Sequence, residues 1–184
     1  MPPTGEAGTP LKRDAQAWRR VVATGVDYAM VAPWLAVLGL IGACLRWAGV
    51  FTELPQTWKG RLLAQLLVAL ALTVPVTLAL AWSESSRRST PGKRRLGLRV
   101  EGAGAGDGDD LPYHRALMRS AVKVALPWEL AHAGLWQLWG RDVSVLGPVL
   151  VGLAYAVAGA QLVLLWRGGR PIHDRLAHTV VRSA

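Results

Sequence analysis

Three ionisable residues stand inside apolar sequence: Asp27, Glu129 and His132. A charged side chain at the centre of a bilayer costs about 2.5–3.5 kcal/mol on insertion scales, so such residues are paired, neutralised or turned toward a cavity. Asp27 follows Trp18 by nine residues and Glu129 precedes Trp139 by ten. At the helical rise of about 1.5 Å per residue, each falls roughly 13–15 Å inside its segment. His132 comes three residues after Glu129, on the same helix face. One reading is a polar site near the midplane, formed by Asp27, Glu129 and His132, that binds a small cation or passes protons. The other is an interhelical lock, with each carboxylate held by Arg, Lys or His from a neighbouring helix. Glu129-x-x-His132 also matches half of a carboxylate-bridged metal site. The second half is missing from the sequence, so no metal centre and no cofactor are expected.

A second group is basic. Arg115, Arg119 and Lys123 are spaced by four and make one stripe along a helix. Long basic side chains at a helix end snorkel toward headgroups, and the alternative is a site for anionic lipid or for Asp174. In the segment 170–182, Pro171 suits the first turn of a short helix. Asp174 and His178 are then four apart and able to pair, unless Asp174 faces the stripe. Other motifs fail on inspection. Pro91-Gly92-Lys93 ends like a phosphate loop, but Arg94 stands where that loop needs Ser or Thr. The acidic turn holding Asp107, Asp109 and Asp110 is read as solvated rather than as a calcium site. No Ser/His/Asp nucleophile signature is present, so an enzyme is not expected.

The elements that carry these residues follow from where charge is absent. Tyr28–Leu45 carries no Asp, Glu, Lys or Arg; Leu62–Ser83 carries none over 22 residues and Val143–Trp166 none over 24. About 20 apolar residues span a hydrocarbon core of ~30 Å. The expected fold is an all-α membrane protein, a bundle of about four helices at 18–46, 61–83, 114–139 and 143–167. Three are clear spans. The segment 116–139, with Arg119, Lys123, Glu129 and His132, is a polar helix that is buried or only partly spanning. Pro33, Pro75 and Pro127 each remove a backbone hydrogen bond and are expected to kink their helices. Residues 1–17 read as a disordered tail, 18–182 as one membrane domain, and 84–113 as a soluble connection. Leu96, Leu98 and Val100 alternate there, and a small β-hairpin closing back through Leu111–Pro112 is the expectation. No cleavable signal peptide is evident, so the first helix would act as an uncleaved anchor.

Composition agrees. The chain is 52% hydrophobic, which excludes disorder, and its single cysteine, Cys44, excludes a disulfide scaffold. Trp18, Trp47, Trp58, Trp82, Trp139 and Trp166 fall at helix ends, where an indole sits half in the headgroup layer. With both termini cytoplasmic, 17 of the 21 Lys and Arg lie on the cytoplasmic side, which satisfies the positive-inside rule. The net charge of +9 is thus explained by topology, and a nucleic-acid partner is excluded. The expected partners are the bilayer itself, anionic lipids at the cytoplasmic face, and a small cation or proton. Four short crossings are few for alternating access, so a homo-oligomer is expected.

Taken together, these residues resemble the RDD family of small bacterial multi-pass membrane proteins, named for one arginine and two aspartates. Arg20 and Asp27 resemble its first pair, and Thr90-Pro91-Gly92-Lys93 its TPGK segment. Arg115-x-x-x-Arg119 resembles its basic helix, and the run from His173-Asp174 to His178-Thr179-Val-Val its closing motif, with Asp174 as the second aspartate. The resemblance covers Arg19–Val181. His178 departs from it, since the family more often has a small residue there. Lys123 and Pro127–His132 look like features of a subgroup. The resemblance implies a location in the bacterial cytoplasmic (inner) membrane. Some members are linked to cation/proton antiport, which implies that activity as an expectation; a non-catalytic assembly, lipid-binding or regulatory module is the alternative.

Overall fold

A computed structural model describes residues 10–50, 57–104, 110–138, 144–167 and 169–183. The chain makes four long helical passages. The first is α1 (Pro10–Trp47). The second joins α2 (Trp58–Val68) to α3 (Val74–Arg87) through a π turn at Ala69–Thr73. A short α4 (Pro91–Arg95) and β1 (Leu98–Gly102) follow. The third passage joins α5 (Tyr113–Ser120) to α6 (Leu126–Leu138) through a second π turn at Ala121–Ala125. The fourth is α7 (Leu146–Trp166), followed by α8 (Ile172–Leu176) and β2 (Thr179–Ser183). Three stretches are long and apolar enough to cross a membrane: Gln16–Trp47, Trp58–Arg87 and Leu146–Trp166. Helix α1 starts at Pro10, so residues 10–17 extend the first helix instead of belonging to a tail; residues 1–9, Asp107, Asp109 and Trp139 lie outside the described residues.

Burial is inverted relative to a water-soluble protein. Leu40 is 67% exposed, Leu70 64% and Tyr155 75%, whereas Glu84 and Asp174 are each 1% exposed. An apolar surface of that kind is costly to hydrate and is stable against hydrocarbon. Trp47, Trp58 and Trp166 are exposed at helix ends, as an interfacial belt requires, while the exposed Trp82 and Trp18 lie about one and two turns inside α3 and α1.

The prolines act differently from a simple kink. Each π turn ends two residues before a proline, Pro75 or Pro127. Proline has no N–H, so the carbonyls of the preceding turn lose a donor, and widening to an i→i+5 pattern redistributes the bonds. Side chains complete the repair. The Trp34 indole donates to Ala71 O at 3.0 Å, and Gln161 Nε2 donates to Val122 O at 3.3 Å. Each repair ties two passages together. Helix α1 runs through Pro33 without interruption.

One end of the helices carries a small water-type core of Ala23, Ala81, Leu98, Val100, Leu111, Ala116 and Val181. The expected hairpin within 84–113 does not form. Strand β1 instead pairs antiparallel with the C-terminal β2, with Val100 opposite Val181 and Gly102 opposite Thr179. Leu111 is buried in the core below, and its carbonyl accepts from Ser85 Oγ. The sheet closes because α3 ends at Arg88 in a left-handed conformation (φ 53°), and the Arg88 carbonyl then accepts from Val100 N at 2.6 Å. A lone hairpin is marginal; two strands laid over an apolar core are not.

Candidate functional site

Four chain segments meet at this end: the first half of α1, the turn after α3, the start of α5, and α8–β2. Buried ions fasten them. Asp27 is 6% exposed and accepts from Thr90 Oγ1 at 2.6 Å and from Gly92 N at 2.8 Å. Thr90 also caps α4 through Lys93 N, so the TPGK turn is built to present its hydroxyl and one N–H to a carboxylate. Gly92 is required by space. A Cβ there would lie 2.1 Å from Ala23 O and 2.8 Å from Asp27 Oδ1. Asp27 is therefore level with the end of α3, not halfway along the helices, and it does not meet Glu129. Counting from Trp18 misplaces it because the first part of α1 runs alongside the sheet: Arg20 Nη2 donates to Val181 O at 2.7 Å.

Arg119 is the centre of the lock. It is 2% exposed, donates from Nε to Asp174 Oδ1 at 2.6 Å, and pairs through Nη1 with Glu84. Lys93 pairs with the same Glu84 oxygen. Asp174 also accepts from Thr179 Oγ1 at 3.1 Å, and Arg170 donates to the carbonyls of Asp174 and Thr179. Arg119 is thus an internal counter-ion, and the snorkelling expected of the stripe does not describe it. Arg115 is partly exposed, and Lys123 lies one turn deeper than Arg119. Asp174 pairs with Arg119 rather than His178, which is exposed with a left-handed backbone (φ 50°) just past α8. Small residues suit that position.

These contacts set the protonation states. Burial raises the Asp174 carboxyl, but Arg119 outweighs it and holds it at about 2. Burial, aided by Arg119, lowers the His173 imidazole to about 3, so it is neutral and donates from Nδ1 to Gln161 Oε1. Burial and Arg119 lower Lys93 to about 7 against the pull of Glu84.

A second polar cluster lies further along the passages. Glu129 receives Gln65 Nε2 and Thr73 Oγ1, and His132 Nδ1 lies 3.0 Å from Gln65 Oε1. The Gln65 amide thereby joins the carboxylate to the imidazole. Thr73 sits in the first π turn and also lines a cavity of about 130 Å³ with Asp27, Tyr28 and Lys123. Glu129 and His132 are therefore together; Asp27 shares the cavity with Thr73, but neither Glu129 nor His132 lines it. Among the described residues, no three His, Cys, Asp or Glu side chains gather as a metal-ligand set.

Glu84, Gln65, Thr73 and Gln161 escaped the sequence reading. Glu84 is the first charge after Leu62–Ser83, and its position at a helix end suggested solvent. Gln65 and Gln161 lie inside charge-free runs; counting charges passes over uncharged amides, which here hydrogen-bond across helices.

Apolar passages tied at one end by buried arginine and aspartate define a helical membrane protein with a loop-and-tail lock. The chain belongs to the RDD family, whose model matches residues 15–178. No curated protein and no solved structure matches it.

Proposed function

We propose that the protein moves a small cation or proton across the bacterial cytoplasmic membrane, as a cation/proton transporter or antiporter. The observation that carries this reading is the Glu129 carboxylate, hydrogen-bonded by the uncharged donors Gln65 and Thr73 and joined through Gln65 to His132. A carboxylate at membrane depth without a bound arginine or lysine is stabilised by taking up a proton or a cation. That makes Glu129 the exchangeable group, His132 its neighbour in the relay, and Asp27 the acid facing the adjoining cavity. The basic residues at the lock end favour both termini in the cytoplasm. A homo-oligomer would supply the helices that alternating access needs. A non-catalytic assembly or regulatory module is the second reading, favoured because Asp27, Glu84 and Asp174 all have partners.

The test is flux in proteoliposomes under imposed Na⁺, K⁺, Li⁺ and H⁺ gradients. Wild-type flux that Glu129→Gln abolishes, with thermal unfolding unchanged, supports transport. Absence of wild-type flux for all four ions, or full flux in folded Glu129→Gln, refutes it.

A further inference from the structure

Lys123 differs from every other ion of the lock. Asp27, Glu84, Asp174, Lys93 and Arg119 all make hydrogen bonds to one another or to Thr90, Gly92 and Thr179. Lys123, in the second π turn, lies within electrostatic reach of Arg119, Glu84 and Asp27, yet forms no hydrogen bond or ion pair among the described residues. Its ammonium carries three donors; Glu84, Asp27 and Asp174 offset its charge at a distance, but none of them accepts a hydrogen bond from it among the described residues. It lines a groove of about 520 Å³ between α1, α6 and α7, within the range of about 300–1,000 Å³ typical of ligand sites.

The groove is chemically two-ended. Its length is apolar, walled by Trp128, Ala158 and Leu162, and its rim at Leu162 and Tyr155 is open on the outer surface of the helices. Its polar end holds Lys123 beside Gln161 and His173. The Gln161 and His173 side chains are already engaged, with each other and with Val122 O. Lys123 is left as the cation facing an apolar channel that opens sideways, one helical turn inside the Arg119 layer. A molecule that fits has a hydrocarbon chain to fill the groove and an anionic group to meet the ammonium.

We propose that this groove holds the acyl chain of an anionic phospholipid from the leaflet at the lock end, with its phosphate on Lys123. The site is separate from the Glu129 cluster and does not depend on the transport reading. Both headgroup classes carry a phosphate; the net-anionic one is favoured because the quaternary ammonium of a zwitterionic headgroup would be brought beside Lys123 and the nearby Arg119, where like charges repel.

The experiment uses the full chain, purified in a neutral detergent and titrated with phosphatidylglycerol or phosphatidylcholine. Retained lipid is counted by native mass spectrometry, and thermal unfolding is followed in parallel. Phosphatidylglycerol should be retained and should raise Tm; phosphatidylcholine should do neither. Lys123→Gln should weaken retention roughly tenfold, equivalent to about 1.4 kcal/mol. Ala158→Trp fills the exposed side of the groove with Lys123 intact and should have the same effect, so the test survives if Lys123→Gln fails to fold. Arg115→Gln and Glu129→Gln should leave retention unchanged. Equal retention of the two lipids, undiminished retention in either groove variant, or loss in Arg115→Gln would overturn the proposal.

Discussion

Replacing Arg119 by Met should destabilise the protein far more than any surface ion pair would. The guanidinium holds Asp174 at 2.6 Å and also pairs with Glu84, and all three side chains are 2–3% exposed. Met matches much of the length of the arginine stem, so the cavity term is small and the loss is electrostatic. Glu84 retains Lys93; Asp174 keeps Thr179 Oγ1 and the neutral His173 in direct contact, with Arg20, Lys93 and Lys123 acting on it only at longer range. Removing one partner of a buried pair costs about 3–5 kcal/mol, because the remaining charge is left without compensation. The expected loss lies in that range, most of it from Asp174. Neutralising the stranded acid should recover part of it: Arg119→Met with Asp174→Asn should be more stable than Arg119→Met alone. The assay is reversible denaturation in mixed micelles, read by tryptophan fluorescence and by circular dichroism so that coincident transitions establish two-state behaviour. A loss below about 1 kcal/mol, the scale of exposed pairs, or no recovery in the double variant, would refute the reasoning that Arg119 is a buried counter-ion.

Two further outcomes follow from the same lock. Gly92→Ala places a methyl group 2.1 Å from Ala23 O, so α4 must move away and both bonds to Asp27 lengthen; a loss of about 2–4 kcal/mol is expected from overpacking and a weakened charged hydrogen bond, whereas Arg94→Ala on the exposed side of α4 should change Tm little. Acid should unfold the protein. Below its ordinary value of 6.5 the unfolded His173 binds a proton that the folded form refuses until about 3, so stability falls with pH across that window at up to about 1.4 kcal/mol per pH unit. Asp174 adds a further loss between 3.8 and about 2. Lys93 acts at the other end: between about 7 and 10.5 the unfolded lysine holds the extra proton, so stability rises with pH there. Tm measured from pH 9 to pH 4 should fall, and His173→Asn, which keeps a donor near the Nδ1 position, should flatten the part below 6.5.

The amino-acid sequence alone determines the apolar passages, though not where the first helix begins. Apolar runs of membrane-spanning length and tryptophans at their boundaries have local causes, since each segment meets lipid whatever the others do. The pairing of Glu129 with His132 on one face is likewise local, being a matter of helical spacing. What only the tertiary structure decides is how the few polar groups are matched. Asp27 finds Thr90 and Gly92 rather than Glu129, and β1 finds a strand at the opposite end of the chain. Arg119 joins Glu84 to Asp174, a link that four-residue spacing on one helix cannot reveal. A buried ion gains its partner from geometry across segments, at distances of a few ångströms. Register along one segment limits the choice of partner but does not make it. The residues first read as a midplane site thus divide into a carboxylate that fastens a loop and a carboxylate held by the uncharged donors Gln65 and Thr73.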